Sequence, residues 1–115
     1  MIRWKTLTTL PQLAEVTRRS EEIPCLIFKH STRCSLSSVA KLRLEEDWNF
    51  TDEEVEPFFL DTLQHREIAR QIADAFFVPH ESPQLLLIRN GECTYDASHM
   101  DISLTELREC FEDTW

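Results

Sequence analysis

The chain has 115 residues, with 21 acidic against 12 basic side chains, a net charge of −9 and 42% apolar residues. That length suits one domain over residues 1–115, and the acidic balance excludes a phosphate-neutralising surface, so no nucleic-acid partner is expected. A single glycine, Gly91, excludes Gly-rich phosphate loops and dinucleotide fingerprints, and no apolar run exceeds four residues, so no membrane span is expected.

In chain order, Thr9-Leu-Pro-Gln12 has the pattern of a capping box, and Leu10, Leu13, Ala14 and Val16 continue it as an apolar helical stripe to about Arg19. Ile23 to Lys29 is an apolar run without helical period, suited to a buried strand. From Ser35, apolar residues Leu36, Val39, Ala40 and Leu44 recur at helical spacing as far as Asp47. Pro57 to Asp61 reads as a second buried strand. The segment His65 to Phe77 carries Ile68, Ala69, Ile72, Ala73 and Phe76 on one helical face. Leu85 to Ile88 reads as a third strand, Asn90-Gly91 as a two-residue hairpin turn, and Cys93 to Ala97 as the returning strand. Ser103-Leu-Thr-Glu106 opens a last helix with Leu104, Leu107 and Phe111 inward. Strands joined through a helix are expected to be parallel by right-handed crossover, with the hairpin adding an antiparallel edge. The expectation is an α/β fold: a small mixed four-stranded sheet flanked by helices, with an extra N-terminal helix. This order, with a cysteine at the first crossover helix and Ser82-Pro83 before the third strand, resembles the thioredoxin fold. The resemblance implies a cis bond at Pro83.

Four cysteines need explaining: Cys25, Cys34, Cys93 and Cys110. No two have the close spacing of zinc or iron–sulfur ligand pairs, so no metal is expected. The opening MIRWKTLTTL lacks the apolar core of a secretory signal, which points to a cytoplasmic protein with reduced thiols. Cys25 lies in an apolar strand run and Cys110 shares a helical stripe with Leu107 and Phe111, so both read as core thiols. Cys34 alone stands in polar company, in His30-Ser-Thr-Arg-Cys-Ser-Leu-Ser-Ser38, at a strand-to-helix junction.

Only a thiolate attacks a disulfide, and an ordinary thiol of pKa about 8.5 is only about 3% ionised at pH 7. A helix N-terminus favours an anion at Cys34. So does local charge: no acid occurs between Glu22 and Glu45, while Lys29, Arg33, Lys41 and Arg43 do. Ser37, three residues after Cys34, has a hydroxyl that can donate to the sulfur but cannot close a disulfide, so Cys34-Ser-Leu-Ser37 points to a monothiol mechanism. Ser35, Ser37 and Ser38 can also satisfy first-turn N–H groups. Thr32, Arg33, Ser82 and Pro83 are the candidate substrate-binding residues; main-chain groups at Ser82 can pair with an extended substrate. His30 and His80 read as loop histidines of the surface.

Three stretches carry a family resemblance: Phe28-Lys-His-Ser-Thr-Arg-Cys-Ser-Leu-Ser37, His80-Glu-Ser-Pro-Gln-Leu-Leu-Leu-Ile-Arg-Asn-Gly91 and Ala97-Ser-His-Met-Asp-Ile102. Together they resemble the monothiol bacilliredoxins (the YtxJ or bacilliredoxin C type). The resemblance implies a thioredoxin-like fold, no bound cofactor, and removal of the small thiol bacillithiol from S-thiolated proteins, with Cys34 as nucleophile. Where that family usually reads Thr-Cys-Pro-Ile-Ser, this chain has Arg33 before the cysteine and Ser35 in place of the proline. Arg33 then brings a charge beside the sulfur that can meet the malate carboxylates of bacillithiol. Two other readings remain: a non-catalytic thioredoxin-like interaction module, and a cluster carrier resembling monothiol glutaredoxins. The serine after Cys34 departs from the Cys-Gly-Phe-Ser usual in those carriers.

Overall fold

The computed structural model describes residues 2–113; Met1, Thr114 and Trp115, within the domain expected over 1–115, lie outside the described residues. The elements are β1 (Lys5–Thr6), α1 (Leu10–Arg19), β2 (Cys25–His30), α2 (Ser35–Asp47), β3 (Glu56–Asp61), α3 (Arg66–Phe76), β4 (Gln84–Arg89), β5 (Glu92–Ser98), a 3-10 turn at His99–Asp101, and α4 (Leu104–Asp113). The strands form one mixed sheet in the order β1-β3-β2-β4-β5.

Local chemistry accounts for the ends of these elements. Thr9 caps α1 by accepting from Gln12 N–H, while Gln12 Oε1 accepts from Thr9 N–H at 3.1 Å, so two orphan donors of the first turn are satisfied reciprocally. Ser103 Oγ accepts from Glu106 N–H at 3.3 Å before α4. At the hairpin, Asn90 and Gly91 both take positive φ (52° and 77°), the conformation a two-residue turn requires.

Every residue of β2 and β4 is buried, which is why both strands read as apolar runs without alternation. Alternate side chains enter two separate cores. Cys25, Ile27, Leu86 and Ile88 meet Leu13 and Val16 of α1 and Ile68, Ile72 and Phe76 of α3. Leu26, Phe28, Leu85 and Leu87 meet Ala40 and Leu44 of α2 and Leu104 and Leu107 of α4.

Three expectations are corrected. The four expected strands are joined by a fifth, β1, which pairs in parallel with Phe58 and Phe59 at the edge of β3. Two residues are too few to show alternation. The strand after α3 is not parallel to its predecessors: β4 runs antiparallel to β2, with Lys29 opposite Gln84. The register gives the reason. β3 ends at Asp61 opposite His30, and β4 begins one residue away, so the chain leaves and re-enters the sheet at the same end. On the helices, Ala14 and Val39 face solvent, and Ser37 takes an inward position on α2.

Candidate active site

The C-terminal ends of β2 and β3, the start of β4 and the N-terminus of α2 all lie at one pole of the molecule. Cys34 is the N-cap residue of α2, with extended dihedrals (φ −108°, ψ 116°), and its carbonyl accepts the first intrahelical bond, from Ser38 N–H at 3.2 Å. Its own N–H donates to Ser31 C=O at 3.1 Å, closing residues 31–34 into a turn. The side chain is half-buried and makes no capping bond, on the residue that heads a first turn whose N–H groups have no intrahelical partner. A helix dipole favours negative charge at that position.

The sequence-predicted residues divide into an exposed group and a buried group. Thr32, Arg33 and Ser35 are exposed around Cys34. Ser37, expected to donate to the sulfur, is fully buried and turned inward. Its hydroxyl accepts from Ser31 N–H at 3.0 Å and lies 2.7 Å from His30 Nδ1; among the described residues these are its partners. Ser37 therefore secures the turn that presents Cys34. The Ser82–Pro83 bond is cis. Pro83 is buried at the start of β4, and the Ser82 hydroxyl is buried with no hydrogen-bond partner among the described residues.

The surface reading of His30 is corrected: the ring is buried, stacked on Phe28 with centroids 6.0 Å apart and 5.4 Å from Phe59. Burial, and then the charge of Lys41, push its pKa down, so it is held neutral. The four bases expected to form one patch also separate. Lys41 bonds Glu45 at 2.7 Å, Arg43 lines a cavity with Asp47, and Arg33 alone stands exposed in the turn. Lys29 is fully buried on the α1/α3 side, with Nζ 3.3 Å from His80 Nδ1. Burial brings this amine down to about 8. The one signal for it in the sequence is a base continuing an apolar run, which equally suits an exposed strand end.

Two of the other thiols, Cys25 and Cys93, are less suited to exchange. Cys25 opens β2 at the end away from Cys34 and is wholly buried; burial, then the nearby Glu56 carboxylate, push it up to about 12. Burial pushes Cys93 up to about 11. No group of three or more His, Cys, Asp or Glu able to hold a metal ion occurs among the described residues.

The family model described as monothiol bacilliredoxin BrxC matches residues 5–107. The chain belongs to the monothiol bacilliredoxin family. Among solved structures, it is similar to one titled a putative oxidoreductase with a thioredoxin fold (26% identity, TM-score 0.76, 91% of this chain and 90% of that chain). It also superposes on the thioredoxin of Malassezia sympodialis (13% identity, TM-score 0.76, 98% and 91%) and that of Trypanosoma brucei brucei (14%, 0.75, 96% and 89%), which shows the thioredoxin fold. For this monothiol bacilliredoxin the fold and the family together support a thiol-oxidoreductase role. No described helix is long and apolar enough to cross a membrane.

Proposed function

We propose that this bacilliredoxin is a monothiol thiol–disulfide oxidoreductase that removes bacillithiol from S-thiolated proteins through Cys34. The observation that carries the reading is Cys34 itself: a half-buried N-cap cysteine whose sulfur makes no cap bond and has no partner among the described residues, at the pole where Ser82–Pro83 enters the sheet. The Cys34 thiolate attacks the bacillithiol sulfur of a protein mixed disulfide. The old S–S bond breaks, the protein leaves as a thiolate and takes up a proton, and a Cys34–bacillithiol disulfide forms. A second small thiolate then attacks the bacillithiol sulfur of that adduct, releasing the Cys34 thiolate and a symmetrical disulfide. Overall, one mixed disulfide and one small thiol give one protein thiol and one small-thiol disulfide, with Cys34 regenerated, so no further oxidant is needed. Ser37 cannot resolve the adduct, which leaves that step to a second thiol.

The test is mass spectrometry during incubation with a bacillithiolated client protein. The expected result is loss of the client's adduct with matching gain at Cys34, abolished in Cys34→Ser, and slower with a glutathionylated client. Absence of transfer to Cys34 would leave the interaction module, and an iron–sulfur chromophore in the freshly purified protein would favour the cluster carrier.

A further inference from the structure

On the α1/α3 side of the same pole is a cavity of about 430 Å3, within the range of small-molecule sites. Its walls include Thr62, Arg66, Ala69, Arg70, Ala73 and His80. Position is the first consideration. Thr62 is bonded to the last residue of β2 twice over, by its N–H (2.9 Å) and its hydroxyl (3.2 Å) to His30 C=O. The 31–34 turn keeps its end Cα atoms within about 7 Å, and one further Cα step of about 3.8 Å reaches His30. Cys34 thus lies within about 11 Å of the strand end to which the cavity wall is tied. A thiol of tripeptide size spans about 10 Å at roughly 3.3 Å per residue.

Charge is the second. In a chain of net charge −9, this cavity is lined by two arginines and a histidine and, among the described residues, by no acidic one. Arg66 has no ion-pair partner among the described residues, and Arg70 meets only the exposed Glu67 at 3.3 Å, a pair weak enough to be exchanged. Behind the wall, Lys29 has no carboxylate bonded to it among the described residues; its Nζ lies 3.3 Å from His80 Nδ1, and a protonated amine there can only donate, which leaves the ring proton to Nε2. Ala69 and Ala73, one turn apart on α3, leave room between the cationic side chains.

We infer that this cavity is an anion subsite that holds the carboxylate end of the small thiol exchanging at Cys34, with Arg66 and His80 as its binding groups. The inference rests on the exchange function proposed above. The groups facing His80 are Lys29 and Glu81, and those facing Lys29 are Cys93 and Glu81. The one carboxylate among these, Glu81, lies 3.2 Å from His99 Nε2, and a bound carboxylate adds a second.

The test has two arms. In the first, L-malate is titrated into the intact protein and followed by NMR. Saturable shifts are expected at the Arg66 side-chain N–H and the His80 ring, and they are lost in Arg66→Gln. Arg66 is exposed at the first residue of α3, where removing a positive charge does not harm the helix. In the second, turnover of bacillithiol disulfide is compared with that of the neutral hydroxyethyl disulfide. Arg66→Gln is expected to raise KM for the anionic disulfide about tenfold with kcat unchanged. It should leave the neutral one alone, and Arg66→Lys should recover part of the loss. No saturable malate shifts, shifts that persist in Arg66→Gln, or equal slowing of both disulfides overturns the subsite. Wild-type protein that binds malate but turns over neither disulfide overturns the exchange function instead.

Discussion

The Ser37 hydroxyl joins the strand end to the turn that carries Cys34, because one oxygen meets both Ser31 N–H and His30 Nδ1. Replacing Ser37 by Ala leaves a main-chain donor and a buried ring nitrogen without partners, which costs about 1–3 kcal/mol. Urea unfolding should show that loss, and adduct formation at Cys34 should slow as the turn loosens. Ser35→Ala, at an exposed position two residues away, should change stability by less than about 0.5 kcal/mol. Equal effects of the two substitutions would contradict the inward role. The sequence singled out Cys34 as the one cysteine in polar surroundings at a helix start, and the structure places it at the N-cap of α2. It did not reveal the direction of Ser37, because a serine at the third helical position serves a sulfur, a backbone amide or solvent with equal ease. His30 and Lys29 escaped for a related reason. In a strand buried on both faces, alternation carries no exposure signal, so a polar residue at its end looks the same whether it is covered or free.

At the level of elements, α2 begins on a residue poorly suited to beginning a helix. Serine, threonine, aspartate and asparagine are the preferred N-caps, and Cys34 makes no side-chain cap bond. Substituting Cys34→Ser supplies the missing acceptor to the first turn. The expected result is a stability gain of up to about 1 kcal/mol, visible as a rise in Tm of about 4 °C, together with complete loss of exchange. A variant no more stable than wild type would argue that the first turn does not need the cap. The amphipathic α3 was legible in detail, with Ile68, Ala69, Ile72 and Phe76 inward as their spacing requires. The order of elements was legible too. The direction of β4 was not, since a strand–helix–strand pattern records that a helix intervenes and not whether the chain crosses the sheet or returns to the end it left.

For the whole molecule, burying Lys29 ties stability to pH. Below about 8 the amine is protonated in both folded and unfolded chains, and its burial is a standing cost. Between about 8 and the unfolded value of about 10.4, the unfolded chain holds a proton that the folded one has released, so stability rises with pH. Cys25 and Cys93 act in the opposite sense: their folded values, about 12 and about 11, exceed the unfolded value of about 8.5, so stability falls as the unfolded thiols ionise. The Lys29 contribution is therefore read as a difference from Lys29→Met, whose apolar chain fills the same space. The variant is expected to be the more stable at pH 7, and its advantage to shrink by pH 10 in denaturant titrations. A constant advantage across that range would mean that Lys29 keeps its proton.

The ties at His99 have a mechanical consequence for how this pole meets a client. His99 N–H donates to Pro83 C=O at 3.0 Å, and its ring lies 3.2 Å from Glu81, so segments 78–83 and 99–101 are riveted together across β4 and β5. Lifting one segment away from the other breaks the main-chain bond as well as this exposed, weaker contact. For a client of the exchange proposed above, the two segments therefore present as one joined rim to which its backbone must conform.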